Sequence, residues 1–403
     1  MTMKLPDAEW RHRPGLDGLF GKLEAAEGKA RFVGGAVRDG LLGLPVNDID
    51  IATTLDPHDV VDRLKRAGIK AVPTGIDHGT ITAVLPDGPV EITTLRRDVS
   101  TDGRRATIAY TDDWQEDAAR RDFTINALYA DPLTGVISDY FGGIADLEAR
   151  RLRFIGDASA RIAEDHLRIL RYFRFLARYG DNELDSSAYD ACVAAANSLM
   201  ALSRERIADE LLKLLGVAAP VHALRLMVEG GILRPVLPEV DEAGVERVDQ
   251  LIAREAEVGI AASALRRLAA LLPPDATLAD AVGARLKLSN KARKRLVVAL
   301  EPAAAVETPR ALAYRVGVEG AIDRLLLDAK QPLALLESLQ GWTPPALPIG
   351  GGALIARGLT PGPDVAKALH EVQAQWVAED FPDDQRVVRI ADQIVSKFQR
   401  ARQ

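Results

Sequence analysis

Cysteine is almost absent from this chain, with one residue, Cys192, among 403. A single thiol excludes an intrachain disulfide framework and a cysteine-based zinc site. Histidine is nearly as sparse: six scattered residues form no cluster of the His-x-His or His-Asp kind, so no histidine-based phosphohydrolase domain is visible. No apolar run approaches the length of a membrane span, and the opening MTMKLPDAEWRHRPG lacks the apolar core of a secretion signal. The expectation is a cytoplasmic protein with no membrane partner. Positive charge is also short overall: a net charge of −7 and a pI near 5.6 argue against gripping nucleic acid through bulk charge. No internal repeat or low-complexity segment stands out. What is present is an ordinary globular composition, 47% hydrophobic and 27% charged, in a chain with room for roughly two to four domains.

Residues 31–53, RFVGGAVRDGLLGLPVNDIDIAT, read as strand, glycine turn, short helix, loop and second strand. Phe32 and Val33 lead into Gly34-Gly35, where the missing Cβ atoms permit a sharp turn and close backbone approach. Val37, Leu41 and Leu42 recur at helical spacing before Gly43 and Pro45 end the helix. Free N–H groups opening such a helix, with Arg38 one turn in, suit a phosphate. Asp48-Ile49-Asp50-Ile51 alternates as a strand does, placing two carboxylates on one face and two isoleucines in the core. Two like charges so close are costly unless a cation joins them, and oxygen ligands beside a phosphate suit Mg²⁺. The plain alternative is a structural turn followed by two solvent-edge aspartates. Their combination in one unit favours metal-assisted phosphoryl or nucleotidyl transfer.

Further along, Asp56-Pro57 opens a helix with Val60, Val61 and Leu64 inward, and ITAVLP and PVEITTL flank Asp87-Gly88 as a hairpin, with Glu91 near the start of its second strand. Residues 96–114 are polar with little periodicity and read as a mobile loop. Arg120-Arg121-Asp122 before an apolar-periodic run reads as a helix start, Asp122 balancing the dipole. Beyond about residue 151 strand signals nearly vanish. Taking residues 164–175 as one helix, Arg168, Arg171 and Arg174 form a cationic strip opposite Ile169, Leu170 and Phe173, with Asp165 one turn before Arg168. Asp165 and Arg168 can pair with each other, or present an acceptor and a donor fork to a base edge. Ser203 reads as the N-cap of a further helix. Eight arginines face three acids over residues 150–178, and residues 285–295 carry Lys287, Lys291, Arg293, Lys294 and Arg295 with no acid. Each run is either a solvated face or a local grip on RNA phosphates.

GGAVRDGLLGLPVNDIDIA resembles the signature of the nucleotidyltransferase head in class II CCA-adding enzymes and bacterial poly(A) polymerases, of the DNA polymerase β superfamily. RRDFTINA at 120–127 matches a motif of that family residue for residue, EDHLR at 164–168 matches its EDxxR motif, and DYFGGIADL at 139–147 matches its hinge. The resemblance covers about residues 30–215, and more loosely PIGGGALIARGLTPGPDVAKAL at 348–369 looks like the tail that holds the tRNA elbow. It implies that Asp48 and Asp50 are catalytic and hold the metals. Glu91 becomes either a third carboxylate from an adjacent strand or a solvent-facing residue. Gly35, Arg38 and Arg121 would hold triphosphate and sugar, the Arg-Arg-Asp group telling ribose from deoxyribose. Asp165 and Arg168 would read the Watson–Crick edges of CTP and ATP, Arg171 and Arg174 extending the nucleotide site. The 96–114 loop would take part in the change from adding C to adding A. TGIDHGT at 74–80 stands where related poly(A) polymerases usually carry a Gly-Arg-Arg-Phe-like segment.

The expected fold is α+β: an N-terminal polymerase β-like head with a small mixed sheet, then an all-α neck, body and tail. The expected boundaries are an extension over 1–28, head over 29–150, base-reading neck over 151–215, body over 216–300 and tRNA-binding tail over 301–403. The expected activity is template-independent CCA addition to the tRNA 3′ end from CTP and ATP with Mg²⁺. The alternatives are a poly(A) polymerase, a partial CC- or A-adding enzyme, and, more remotely, a non-catalytic RNA-binding protein on the same scaffold.

Overall fold

The computed structural model describes residues 3–102, 105–180, 184–302 and 307–400. One mixed seven-stranded sheet is built from β1 (Ala30–Val33), β2 (Ile49–Thr53), β3 (Lys70–Gly75), β4 (Thr80–Leu85), β5 (Gly88–Thr94) and two later strands. Between them β6 (Arg96–Asp102) and β7 (Arg105–Tyr110) pair as a separate ribbon, and β8 (Leu128–Ala130) and β9 (Ile137–Asp139) then complete the sheet. The order is β3-β4-β5-β2-β1-β8-β9, with β2 and β5 parallel and the other neighbours antiparallel. Helices α1 (Leu16–Lys22), α2 (Gly35–Leu41), α3 (Pro57–Arg66), α4 (Trp114–Ala119) and α5 (Gly143–Glu148) surround it.

The alternation read from the sequence fixes which face of the central strands is inside. Ile49, Ile51, Val90 and Ile92 are all buried on one face, and Phe32 meets the rings of Trp10 and Phe20 edge-on at 5.0 and 4.8 Å. On the opposite face Val33, Ala52, Ala127 and Tyr129 form a second core cluster with Leu95, Ala118 and Ile155, against which Trp114 packs. That second face carries Asp50.

The remainder is helical: α6 (Ala158–Glu164), α7 (Leu167–Tyr179), α8 (Ser186–Ala194), α9 (Arg204–Leu215), α10 (Val221–Glu229), α11 (Glu242–Glu257), α12 (Ala264–Leu271), α13 (Ala276–Arg285) and α14 (Asn290–Leu300). They are followed by α15 (Pro309–Val316), α16 (Val318–Leu327), α17 (Gly351–Ile355), α18 (Pro363–Ala378) and α19 (Asp384–Arg400). No named strand lies beyond Asp139 among the described residues. The chain divides into two compact units, Met1–Glu210 with His222–Val236, and Leu211–Val221 with Leu237–Gln403. In the second, α17, α18 and α19 close a cluster around buried Trp376, Ile390 and Val387. No helix among the described residues is long and apolar enough to cross a membrane.

Four local expectations are corrected. The segment expected as a mobile loop over 96–114 is largely the β6–β7 ribbon, whose charged composition hides its pairing. The run after Asp122 is a short 3₁₀ turn, Thr124–Asn126, that feeds β8 rather than an α-helix. The single helix expected over 164–175 is two: α6 ends at Glu164, Asp165 is extended at φ −149°, and α7 starts at Leu167. Strand β2 begins at Ile49, so Asp48 immediately precedes it.

Candidate active site

The glycine pair sits where β1 passes into α2. Gly34 takes φ 64°, ψ −118°, a conformation closed to side chains with a Cβ. Its missing Cβ would lie 3.5 Å from an Nη of Arg121, and that of Gly35 3.6 Å from an Nη of Arg38. Two guanidinium groups therefore stand over the two glycines.

Beside this turn, the parallel register of β2 and β5 sets Asp50 directly opposite Glu91. Both lie on the face away from Ile49, Ile51, Val90 and Ile92, which resolves the sequence's open choice only in part: Glu91 is exposed and is also the cross-strand neighbour of Asp50. Asp48 is exposed and Asp50 half-buried. Burial pushes the Asp50 carboxyl up to about 6, helped by the charges of Glu91 and Asp48 and opposed by Arg121 and Arg38. Three acidic and two basic side chains thus act on one another at one place. No group of three or more His, Cys, Asp or Glu side chains able to hold a metal ion occurs among the described residues. The donor set fits a hard divalent cation that takes one or two carboxylates and completes its shell with phosphate oxygens and water.

The Arg120-Arg121-Asp122 group is wired in both directions. Asp117 in α4 is buried and accepts from Arg120 Nε at 2.8 Å, Arg121 Nη at 3.1 Å and the Tyr129 hydroxyl at 2.6 Å. Burial would raise its pKa, but Arg121 and Arg120 outweigh that and hold it at about 2. Asp122 accepts from Asn126 at 2.9 Å and from Arg171 Nε at 2.7 Å. Asn126 in turn accepts from Arg38, whose Nε reaches Asp39 at 2.8 Å and whose guanidinium lies 4.2 Å from the Tyr179 ring centre. Tyr179 and Arg178 return to Asp39 at 2.8 and 3.1 Å. A continuous polar path therefore runs from α2 through the Arg-Arg-Asp group to α7.

Asp165 and Arg168 of the EDxxR segment, and Arg171 and Arg174 beyond it, have separate partners. Asp165 accepts from the N–H of Leu167 at 3.1 Å and pairs with Arg206 at 2.8 Å, not with Arg168. Arg168 donates to the backbone oxygens of Arg161 and Arg120 at 2.8 and 3.2 Å and pairs with Glu164. Arg171 is held by Asp122, while Arg174 lies 3.0 Å from Glu210 and over the Phe175 ring. Burial lowers the Arg174 pKa, partly offset by Glu210. Asp165 and Arg168 are adjacent in space through the turn joining α6 and α7, each tied to a different neighbour.

In the second unit the basic patch divides. Arg293 grips Asp280 at 2.8 Å. Arg295 lies between Ser263, Asp323 and Glu319, and Asp323 also holds buried Arg266 at 2.7 Å. Lys287, Lys291 and Lys294 are exposed. The residues that sequence reasoning missed are Asp117, Tyr129, Asn126, Asp39 and Tyr179. Asp117 had a usable signal, standing three and four positions before Arg120 and Arg121; the others are brought in by tertiary packing.

Comparison with known proteins gives the family. Residues 30–153 match the family described as "Poly A polymerase head domain", and residues 183–243 that described as "Probable RNA and SrmB- binding site of polymerase A". The chain is 34% identical to the mitochondrial CCA tRNA nucleotidyltransferase 1 of Mus musculus, over 93% of this chain and 89% of that protein. It is 32% identical to the CCA-adding enzyme of Streptococcus sanguinis, over 91% and 94%. The crystal structure of the Bacillus stearothermophilus CCA-adding enzyme in complex with CTP superposes with a TM-score of 0.75 at 27% identity, covering 96% of this chain and 99% of that one. Shared motifs, a shared sheet and likeness along nearly the whole length place the chain in the class II CCA-adding enzyme and bacterial poly(A) polymerase family of nucleotidyltransferases.

Proposed function

We propose that this nucleotidyltransferase completes tRNA by adding C, C and A to its 3′ end from CTP and ATP without a nucleic-acid template. The observation that carries the reading is the register that sets Glu91 opposite Asp50, with Asp48 beside them and Arg121 and Arg38 above. Asp48 and Asp50 hold a divalent cation, which we take to be Mg²⁺, and Glu91 adds to the negative field at that point. When bound, the cation lowers the pKa of the attacking RNA hydroxyl and neutralises charge on the triphosphate. The 3′-hydroxyl oxygen bonds to the α-phosphorus, pyrophosphate departs, and no covalent enzyme intermediate is needed. Gly35 lets the nucleotide approach the backbone, and Arg38 and Arg121 join it in holding the triphosphate and the sugar.

Base choice belongs to Asp165 and Arg168, which exchange Arg206 and Glu164 for the edge of the incoming base. A site that loses protein partners in this way rejects a base that cannot replace them. Arg171 and Arg174 hold the α7 side of the nucleotide site. In this reading residues 29–150 act as the catalytic head, 151–215 read the base, 216–300 form the body, and 301–403 hold tRNA in a cytoplasmic enzyme. The test is incorporation of labelled CMP into tRNA lacking its CCA end, with Mg²⁺ added or chelated. Wild type incorporates only with the metal, and Asp48→Ala does not incorporate. Incorporation by Asp48→Ala at the wild-type rate would remove the proposed site.

A further inference from the structure

We propose that Asp117 is a positioning residue, which aims Arg121 at the sugar of the incoming nucleotide. The inference rests on the nucleotidyltransferase reading above and adds a residue to it. Arg121 has a long side chain with many rotamers, and holding it in one costs entropy unless something fixes the head group. Asp117 does so from below. Its carboxylate takes the Arg121 Nη at 3.1 Å, and the Tyr129 hydroxyl donates to it at 2.6 Å while accepting from Arg121 Nε at 3.1 Å. Two adjacent edges of the guanidinium are thereby fixed, and an Nη remains over Gly34.

The carboxylate is itself immobile. It is 1% exposed, takes Arg120 on its other oxygen at 2.8 Å, and accepts the backbone N–H of Arg96 at 3.3 Å. Asp117 cannot touch substrate from that depth, so its effect on the reaction passes through Arg121. A planar fork held in one plane can distinguish a sugar carrying a 2′-hydroxyl from one that lacks it, whereas a loose one cannot.

The test compares CMP and dCMP incorporation into tRNA lacking CCA by wild type, Asp117→Asn, Arg121→Lys, the double variant and Tyr129→Phe, each with a melting curve. The expected result for Asp117→Asn is a tenfold or greater loss of CTP-over-dCTP preference, seen mainly as a higher KM for CTP. Tyr129→Phe, which removes one hydroxyl and keeps the ring, moves the preference in the same direction by a smaller factor. The double variant loses no more preference than Arg121→Lys alone, because Asp117 has nothing left to aim. Three results would overturn the inference: an unchanged preference in both Asp117→Asn and Tyr129→Phe, losses that multiply in the double variant, or equal falls for CTP and dCTP that track a lower Tm. A wild-type protein that incorporates neither nucleotide overturns the nucleotidyltransferase reading itself, and this inference with it.

Discussion

Two carboxylates in the first unit bear opposite relations to stability. Asp50 is kept at a cost: burial and the charges of Glu91 and Asp48 disfavour its ionised form. Asp50→Asn is therefore expected to melt at or above the wild-type temperature in EDTA, while incorporation falls by on the order of a thousandfold or more. A variant both inactive and markedly less stable would show that Asp50 supports the fold instead. Asp117 stabilises. Its carboxyl, held at about 2 in the folded chain, lies below the ordinary aspartate value of 3.8, so its contribution is present above that ordinary value and is lost as pH falls through about 2. Denaturation of wild type and Asp117→Asn should differ by about 2 kcal/mol at pH 6, with the gap closing below pH 4. A gap independent of pH would assign the loss to packing. The aspartate pair was legible because strand alternation exposes it. Asp117 is harder to see in the sequence, because Arg120 and Arg121 stand in a motif that implies nucleotide contact, although their helical spacing points back to it.

Among elements, α5 and the turn after Asp122 are pressed together. The Thr124 hydroxyl donates to buried Asp146 at 2.6 Å, and a Cβ on Gly143 would lie 2.3 Å from the Thr124 backbone oxygen. The sequence suggested glycines for a backbone pivot here; the packing gives Gly143 a second reason to lack a side chain. Gly143→Ala should destabilise by about 2 kcal/mol, read as a lower denaturation midpoint, and an unchanged midpoint would mean that the contact relaxes freely. The elements legible in sequence were those with one wet and one dry face, such as α3 and the β4–β5 hairpin. Strand β3 lies at the sheet edge with no residue fully buried, and β8 is buried throughout, so neither shows alternation. The break at Asp165 was hidden because apolar residues on both sides keep helical spacing; the turn is marked by Asp165 itself, which accepts the N–H of Leu167 and pairs with Arg206.

For the whole molecule, an acidic chain that handles RNA must bind through local charge. Of the basic residues near position 290, Arg293 and Arg295 are ion-paired within their own unit, whereas Lys291 and Lys294 are exposed, and we propose these two lysines as the phosphate contacts. Lys291→Ala and Lys294→Ala should each reduce the slope of log affinity for tRNA against log salt by about 1. An unchanged slope would place the RNA elsewhere. The loss of strand signals near residue 150 was readable from periodicity and the α+β class with its mixed sheet from the family resemblance, whereas the paired state of Arg293 and Arg295 was not readable, since Asp280 and Asp323 are distant in sequence. The most direct test of the account is the 3′-end sequence of a tRNA lacking CCA after incubation with the protein, Mg²⁺ and all four NTPs. C, C and A are expected to be added in that order, after which extension stops. A long A tail, a stop after CC, or no extension at all would contradict it.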